Sequence, residues 1–382
     1  MATISAVTNA VRGAVTATVP TSRPTIGKSA LLGVIFLTAV FSTCALLGPC
    51  LPFPEVSTVR EKIEHLARHG DDYEILFVGS SHVQFQIMPT IFDRVAGMNG
   101  VAVKSFNAGI PAMVSPEDSY VLEEMLRRPH GRLRWVFVEL SCLGTQVWGE
   151  NTSRFAYWHD TARLTLLAQR LRREARGKRS RLAKDPTATI FDRWSVWTTT
   201  VGRLYGHARA WLIRGANLSR GSEVLSRGLQ LPGWEEDLRG SLGENGDGWV
   251  WAGRRLQQMT PEMRKQYDGE YAERLANPAV KDRADAVCQS ALERIVTAIT
   301  RAGARPVFLV PPTTAGRNFY PTEERERELT ILDFSDVRQN AKLFLPENRM
   351  DLGHVNTAGA EIFTEDLARR FVELAKGSTP AP

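Results

Sequence analysis

Tyr73-Glu74-Ile75-Leu76-Phe77-Val78-Gly79-Ser80-Ser81-His82 is the stretch on which the reading of this chain turns. Ile75 to Val78 is a continuous apolar run, not an alternating one, which predicts a strand buried on both faces. Gly79 ends the run and Ser80-Ser81 opens a loop. Two more runs of this kind follow, Arg134-Trp135-Val136-Phe137-Val138-Glu139-Leu140 and Arg305-Pro306-Val307-Phe308-Leu309-Val310-Pro311-Pro312. A helix is expected over Pro116 to Leu126 between the first two. Another is expected over Ala284 to Arg301, with Val287, Ala291, Ile295 and Ile299 at helical spacing, and a third from Thr357. Strands alternating with helices predict an α/β fold, a parallel sheet covered by helices in three α/β/α layers.

The chain has 382 residues, and 43% of them are hydrophobic and 24% charged, which excludes wholesale disorder and a many-span membrane protein. At about 150 residues per domain, the length suggests one large domain with an insertion, or two domains. Ser29 to Gly48 is a 20-residue run without a charge, long enough to cross a hydrocarbon core of about 30 Å as a helix. Arg12, Arg23 and Lys28 precede it and no acid occurs before Glu55. That asymmetry predicts a transmembrane anchor over 28–50 with a cytoplasmic N-terminus and an extracytoplasmic main domain. A cleaved signal peptide is the rival reading. Its apolar region is usually shorter and ends in small residues, whereas this one runs into Pro49-Cys50-Leu51-Pro52. The expected order is a flexible tail over 1–27, the anchor, a stalk over 51–72 with a short polar helix from Val56 to His69, a first domain half over 73–150, an insertion over 151–283, a second half over 284–376, and a tail over 377–382.

The insertion lacks clean buried strands and holds seven of the nine tryptophans, so it reads as mostly helical. Arg163 to Lys184 carries nine basic residues against one acid, Glu174. A solvated helix face accounts for this, and so does attraction to anionic lipid headgroups or an acidic polymer. No nucleic-acid recognition module is present, and an extracytoplasmic domain would not meet nucleic acid. Four cysteines without a CxxC spacing exclude a disulfide scaffold and a zinc ribbon. Cys44 and Cys50 belong to the apolar segment, which leaves Cys142 and Cys288 as the two able to pair. His65, His69, His130 and His207 lack ligand-like spacing, so neither a metal nor another cofactor is expected.

A serine on the turn after a parallel strand sits where open α/β sheets build their sites. It needs a base to become a nucleophile. Met350-Asp351-Leu352-Gly353-His354 supplies one near the other end of the chain. The expected roles are Ser81 as nucleophile, His354 as general base and then acid, and Asp351 as the group orienting the imidazole. His82 either lines this pocket or serves as a structural hydrogen bonder. In Phe155-Ala156-Tyr157-Trp158-His159-Asp160, Tyr157, Trp158 and His159 are candidates to stack on or bind a sugar, with core packing as the alternative.

Together these blocks resemble the SGNH, or GDSL-like, hydrolase superfamily. Gly79-Ser80-Ser81-His82 matches its nucleophile block and Asp351-Leu352-Gly353-His354 its Asp-x-x-His block. Ser105-Phe106-Asn107-Ala108-Gly109 looks like the second block, whose glycine N–H helps to form the oxyanion hole. The resemblance implies an oxyanion hole from the Ser81 and Gly109 N–H groups, with Asn107 as a further candidate donor. It covers about 73–150 and 284–376. The family's third block, Gly-x-Asn-Asp, is missing. Glu139-Leu140-Ser141-Cys142-Leu143-Gly144 stands in its place, with no asparagine before Asn151. Losing one oxyanion donor typically costs about 10²–10³ in turnover; Ser141, Asn107 and Asn151 are the candidates to replace it. A similar divergence marks anchored, extracytoplasmic members that move acyl groups onto envelope polymers. The resemblance therefore implies a serine esterase or O-acyltransferase acting on an envelope glycan. The alternative it leaves open is a non-catalytic scaffold or polymer-binding partner of a membrane-bound acyltransferase.

Overall fold

A computed structural model of the chain describes residues 26–48, 51, 53–54, 56–128, 130–141, 143–147, 153–217, 220, 238–251, 258–277, 281–314 and 319–377. The chain divides between Cys50 and Leu51 into two compact units. In the first, helix α1 (Ile26–Leu47) contains Gly27–Leu46, a 20-residue segment long and apolar enough to cross a membrane and not buried inside the protein.

In chain order, the second unit begins with α2 (Ser57–His69), β1 (Ile75–Val78), α3 (Ser81–Gln86), α4 (Pro89–Met98) and β2 (Ser105–Asn107). Next come α5 (Glu117–Met125), β3 (Trp135–Glu139), α6 (Ser153–Ala156), α7 (Thr161–Lys184), α8 (Ile190–Gly215) and α9 (Pro261–Ala276). It closes with β4 (Asp282–Arg283), α10 (Ala286–Arg301), β5 (Arg305–Val310), β6 (Phe319–Tyr320), α11 (Glu323–Glu328), β7 (Ile331–Asp333) and α12 (Thr357–Gly377).

Five strands form one parallel sheet in the order β2-β1-β3-β5-β7. Both of its faces are covered, because successive side chains of a strand point to opposite sides. Leu76, Val78, Val136, Val138 and Phe308 join the core formed with Val59 and Leu66 of α2, Val121 and Leu122 of α5, and Ile295 and Ile299 of α10. Ile75, Phe77, Phe137, Val307 and Leu309 join the opposite core with Phe92 of α4 and Phe363, Leu367 and Phe371 of α12. Each such side chain contributes about 1.5–3 kcal/mol when fully buried, which explains the unbroken apolar runs. β2 and β7, with three residues each, are too short to announce themselves in the sequence.

Two expectations are corrected. The segment over 51–72 is not a stalk: α2 belongs to the compact unit, and Val59, Lys62 and Leu66 are buried. The insertion is helical in α6 to α9, but its later part is woven into the α/β core. The Asn107 N–H donates to the Asp247 carbonyl (2.8 Å), the Trp249 indole to the Phe85 carbonyl (3.0 Å), and the Tyr267 hydroxyl to the Phe344 carbonyl (2.6 Å). Gly248 is required here, since it holds φ +84° and a Cβ would lie 2.0 Å from the Asn107 carbonyl oxygen. The tails over 1–25 and 378–382, together with Cys142 and Asn151, lie outside the described residues.

Candidate active site

The sheet order reverses at β1, with β2 on one side of it and β3 on the other. A crevice opens at such a point beyond the carboxyl ends of the strands. Ser81 stands there as the first residue of α3, whose N-cap is Ser80; the Ser80 hydroxyl accepts the His82 N–H. Ser81 Oγ lies 2.8 Å from His354 Nε2, and His354 Nδ1 lies 3.0 Å from each carboxylate oxygen of Asp351. The hydrogen-bond network assigns the tautomer: Nδ1–H donates to Asp351 and Nε2 accepts the Ser81 hydroxyl. All three side chains are partly exposed, so a substrate can reach them. Asp351 also accepts the Gly353 and His354 N–H groups, both at 2.7 Å. Burial alone would raise its carboxyl pKa; the His354 ring and these two donors outweigh burial and hold it below the usual 3.8.

The Asp351–His354 loop is held from beneath by Arg349, which the sequence reading missed. Its fully buried guanidinium donates to the Pro312 carbonyl (2.7 Å) and the Leu352 carbonyl (2.9 Å). It also lies 5.7 Å from the centres of the Tyr267 and Phe344 rings. Thr314 Oγ1 donates to the same Leu352 carbonyl at 2.8 Å. Burial pulls the Arg349 pKa down to about 10.

A second polar network adjoins Ser81. Glu139, at the end of β3, accepts the Ser80 N–H (2.6 Å) and lies 2.7 Å from His82 Nδ1. The His82 ring stacks on the His354 ring, with centroids 4.8 Å apart. Gly79 makes this junction sterically feasible, because a Cβ there would fall 2.3 Å from Val83 and 2.7 Å from the Glu139 side chain. Glu139 therefore belongs to the site, a role the sequence reading missed. Its signal was a lone carboxylate ending a buried strand.

The oxyanion assignment changes. The Gly109 N–H is buried and donates to Asn107 Oδ1 (2.9 Å), while Asn107 Nδ2 donates to the carbonyls of Val83 and Ile87, both at 2.7 Å. The Asn107 amide ties β2 to α3 and the Gly109 N–H closes on Asn107 itself, so both donors are already engaged. Lys62 completes that brace from α2, donating to the carbonyls of Asn107 (2.9 Å), Gly109 (2.7 Å) and Gly248 (2.8 Å). Burial pulls its pKa down to about 7 against the opposing charges of Asp247 and Glu61. The Ser141 hydroxyl donates to Asp118 (2.9 Å) and is likewise engaged. The Ser81 N–H, in the first turn of α3, lacks the carbonyl four residues back that later helical amides have.

The aromatic cluster divides. Tyr157 is a core residue whose hydroxyl donates to Glu117 (2.6 Å). His159 is fully buried, 2.9 Å from His207 Nδ1 and stacked on Trp158, and burial with the His207 charge takes its pKa to about 3. Neither can touch a substrate. Trp158 lines a 780 Å³ pocket with Phe155, Leu143, Arg154, Arg203 and Ala112. Ser81, Asp351 and His354 do not line this pocket; its wall residue Ala112 stands two positions after Ile110, whose N–H donates to the Gly79 carbonyl (2.8 Å). Among the described residues, no group of three or more His, Cys, Asp or Glu side chains is placed to hold a metal ion. No family model and no curated protein matches the chain.

Proposed function

We propose that this chain is a membrane-anchored, SGNH-like serine esterase or O-acyltransferase that cleaves or transfers acyl esters of an extracytoplasmic envelope glycan. The observation that carries the reading is the Ser81–His354–Asp351 chain of hydrogen bonds, assembled from residues 273 positions apart. In the first half-reaction His354 Nε2 takes the Ser81 proton as Oγ bonds to the ester carbonyl carbon. The tetrahedral oxyanion faces the Ser81 N–H, and Asp351 stabilises the imidazolium. Collapse breaks the bond to the leaving alkoxide, which receives the proton from His354. In the second half-reaction water or a sugar hydroxyl loses its proton to His354 and attacks the acyl-Ser81. The same collapse releases an acid or a new ester. The Trp158-lined pocket is the place for the glycan, since aromatic faces and arginines suit sugars bearing acyl or acidic groups.

One observation favours a second reading, a non-catalytic partner of a membrane-bound acyltransferase: Gly109 and Asn107 are both engaged internally, which leaves a depleted oxyanion hole. A fluorophosphonate probe on the full chain in detergent separates the two. An adduct on Ser81 that disappears in Ser81→Ala and His354→Ala establishes the activated nucleophile. A folded chain that stays unlabelled points to the partner role.

A further inference from the structure

α7 and α8 form an antiparallel hairpin whose outer half stands clear of the rest of the unit. On α7, Leu166, Leu167, Leu171 and Ala175 are buried, but none of residues 176–184 is. On α8 no residue before Gly206 is buried. The nine residues of α7 beyond Ala175 make a rod of about 14 Å at 1.5 Å per residue.

The residues on this rod are distributed in the reverse of a soluble helix. α8 buries small or polar residues, Gly206, His207 and Ala210. Its large apolar side chains face out: Ile190 is 74% exposed, Phe191 79%, Trp194 62%, Trp197 45% and Tyr205 69%. Their spacing of three, four and seven puts most of them on one stripe, and the Trp194 and Trp197 rings meet at 5.0 Å between centroids. Single exposed apolar residues need no explanation, whereas a contiguous stripe does. Arg176, Lys178, Arg179, Arg181 and Lys184, all exposed, occupy the last turns of α7 at the same end. The two acids near the tip are occupied as caps, Asp185 with Thr187 and Asp192 with Thr189.

We infer that the α7–α8 hairpin tip docks on the surface of an anionic bilayer, with Ile190, Phe191, Trp194 and Trp197 in the headgroup layer and the α7 cations on lipid phosphates. Tryptophan and tyrosine concentrate at that boundary because the ring is apolar and its edge polar. Basic side chains beside an amphipathic helix complement anionic headgroups. The same chain carries Gly27–Leu46, long and apolar enough to cross a bilayer, so covalent continuity would hold the hairpin within reach of lipid. This inference is independent of any chemistry at Ser81.

The test uses the full chain reconstituted into vesicles of mixed phosphatidylglycerol and phosphatidylcholine with brominated acyl chains, which quench nearby tryptophan. Subtracting the spectrum of a Trp194→Ser/Trp197→Ser variant isolates those two rings. Because both are exposed, the variant leaves the fold intact. The expected difference spectrum is shifted to shorter wavelength and loses most of its intensity to bromine. That loss shrinks in pure phosphatidylcholine and in Arg179→Glu/Arg181→Glu. A difference spectrum that keeps its water-exposed wavelength and resists quenching in the anionic vesicles overturns the proposal. So does a dimer in detergent that the tryptophan variant abolishes, since the stripe would then seat a second copy.

Discussion

Glu139, buried, and His82, partly exposed, show how one pair sets the pH window of the site. Burial alone would lower the His82 pKa, but the Glu139 charge and hydrogen bond outweigh it and hold it above the ordinary 6.5. Burial likewise pushes Glu139 up, while His82 and the Ser80 donors bring it below 4.5. On the alkaline side, the stabilisation is whole below the unfolded histidine value of 6.5 and is lost as pH rises through the raised folded value. On the acid side, it is present above 4.5 and is lost as pH falls through the lowered carboxyl value. Glu139→Gln should therefore cost about 1–3 kcal/mol near neutrality, the usual penalty for leaving a buried hydrogen-bonding group unsatisfied, since His82 can release its proton once the carboxylate is gone. It should also flatten both limbs of a stability-versus-pH curve measured by chemical unfolding in detergent. A variant with the wild-type pH profile would mean that the pair carries no stability. Ser81, Asp351 and His354 were legible because their local blocks have a chemical logic. The Glu139 role was not, because it depends on the β1–β3 register, Val78 beside Val138, which brings the Ser80 turn to the end of β3.

Helix α2 shows the same limit at the level of the element. Its sequence, STVREKIEHLARH, is polar enough to read as a stalk. Val59, Lys62 and Leu66 nevertheless fall on one face, and all three are buried in the unit. The Lys62 ammonium donates to three carbonyls from two other segments, a role no local pattern encodes. Lys62→Met keeps the apolar stem and removes the donors. It should destabilise the second unit by about 1–3 kcal/mol, the cost of leaving buried polar groups unsatisfied, seen as a lower melting temperature. A solvated stalk would show no change. Long, strongly periodic helices were read more successfully: α10 spans Ala286–Arg301, and Asp285 caps it by accepting the Val287 and Cys288 N–H groups, both at 3.0 Å.

For the whole molecule, the chain joins a predominantly apolar helix to one compact unit that contains the crevice, the pocket and the hairpin. If α1 is an uncleaved anchor, alkaline carbonate leaves the full-length chain with the membrane fraction, and deletion of 26–47 releases it. A shortened chain found in the soluble fraction would instead mean cleavage. The sequence by itself determined the local matters: the apolar helix, the three long strands, the helices between them, and the serine and Asp-x-x-His blocks. The helix and strand assignments follow from composition and periodicity within a window of some twenty residues, and the two blocks from the chemistry open to a serine after a strand and to a neighbouring Asp–His pair. Tertiary structure alone decided which donors around Ser81 are already engaged, that α2 is core and not linker, and that Tyr157 and His159 are buried while the tryptophans of α8 face outward. Those outcomes depend on which distant backbone carbonyl or packing face each side chain meets, and chain neighbours do not specify that.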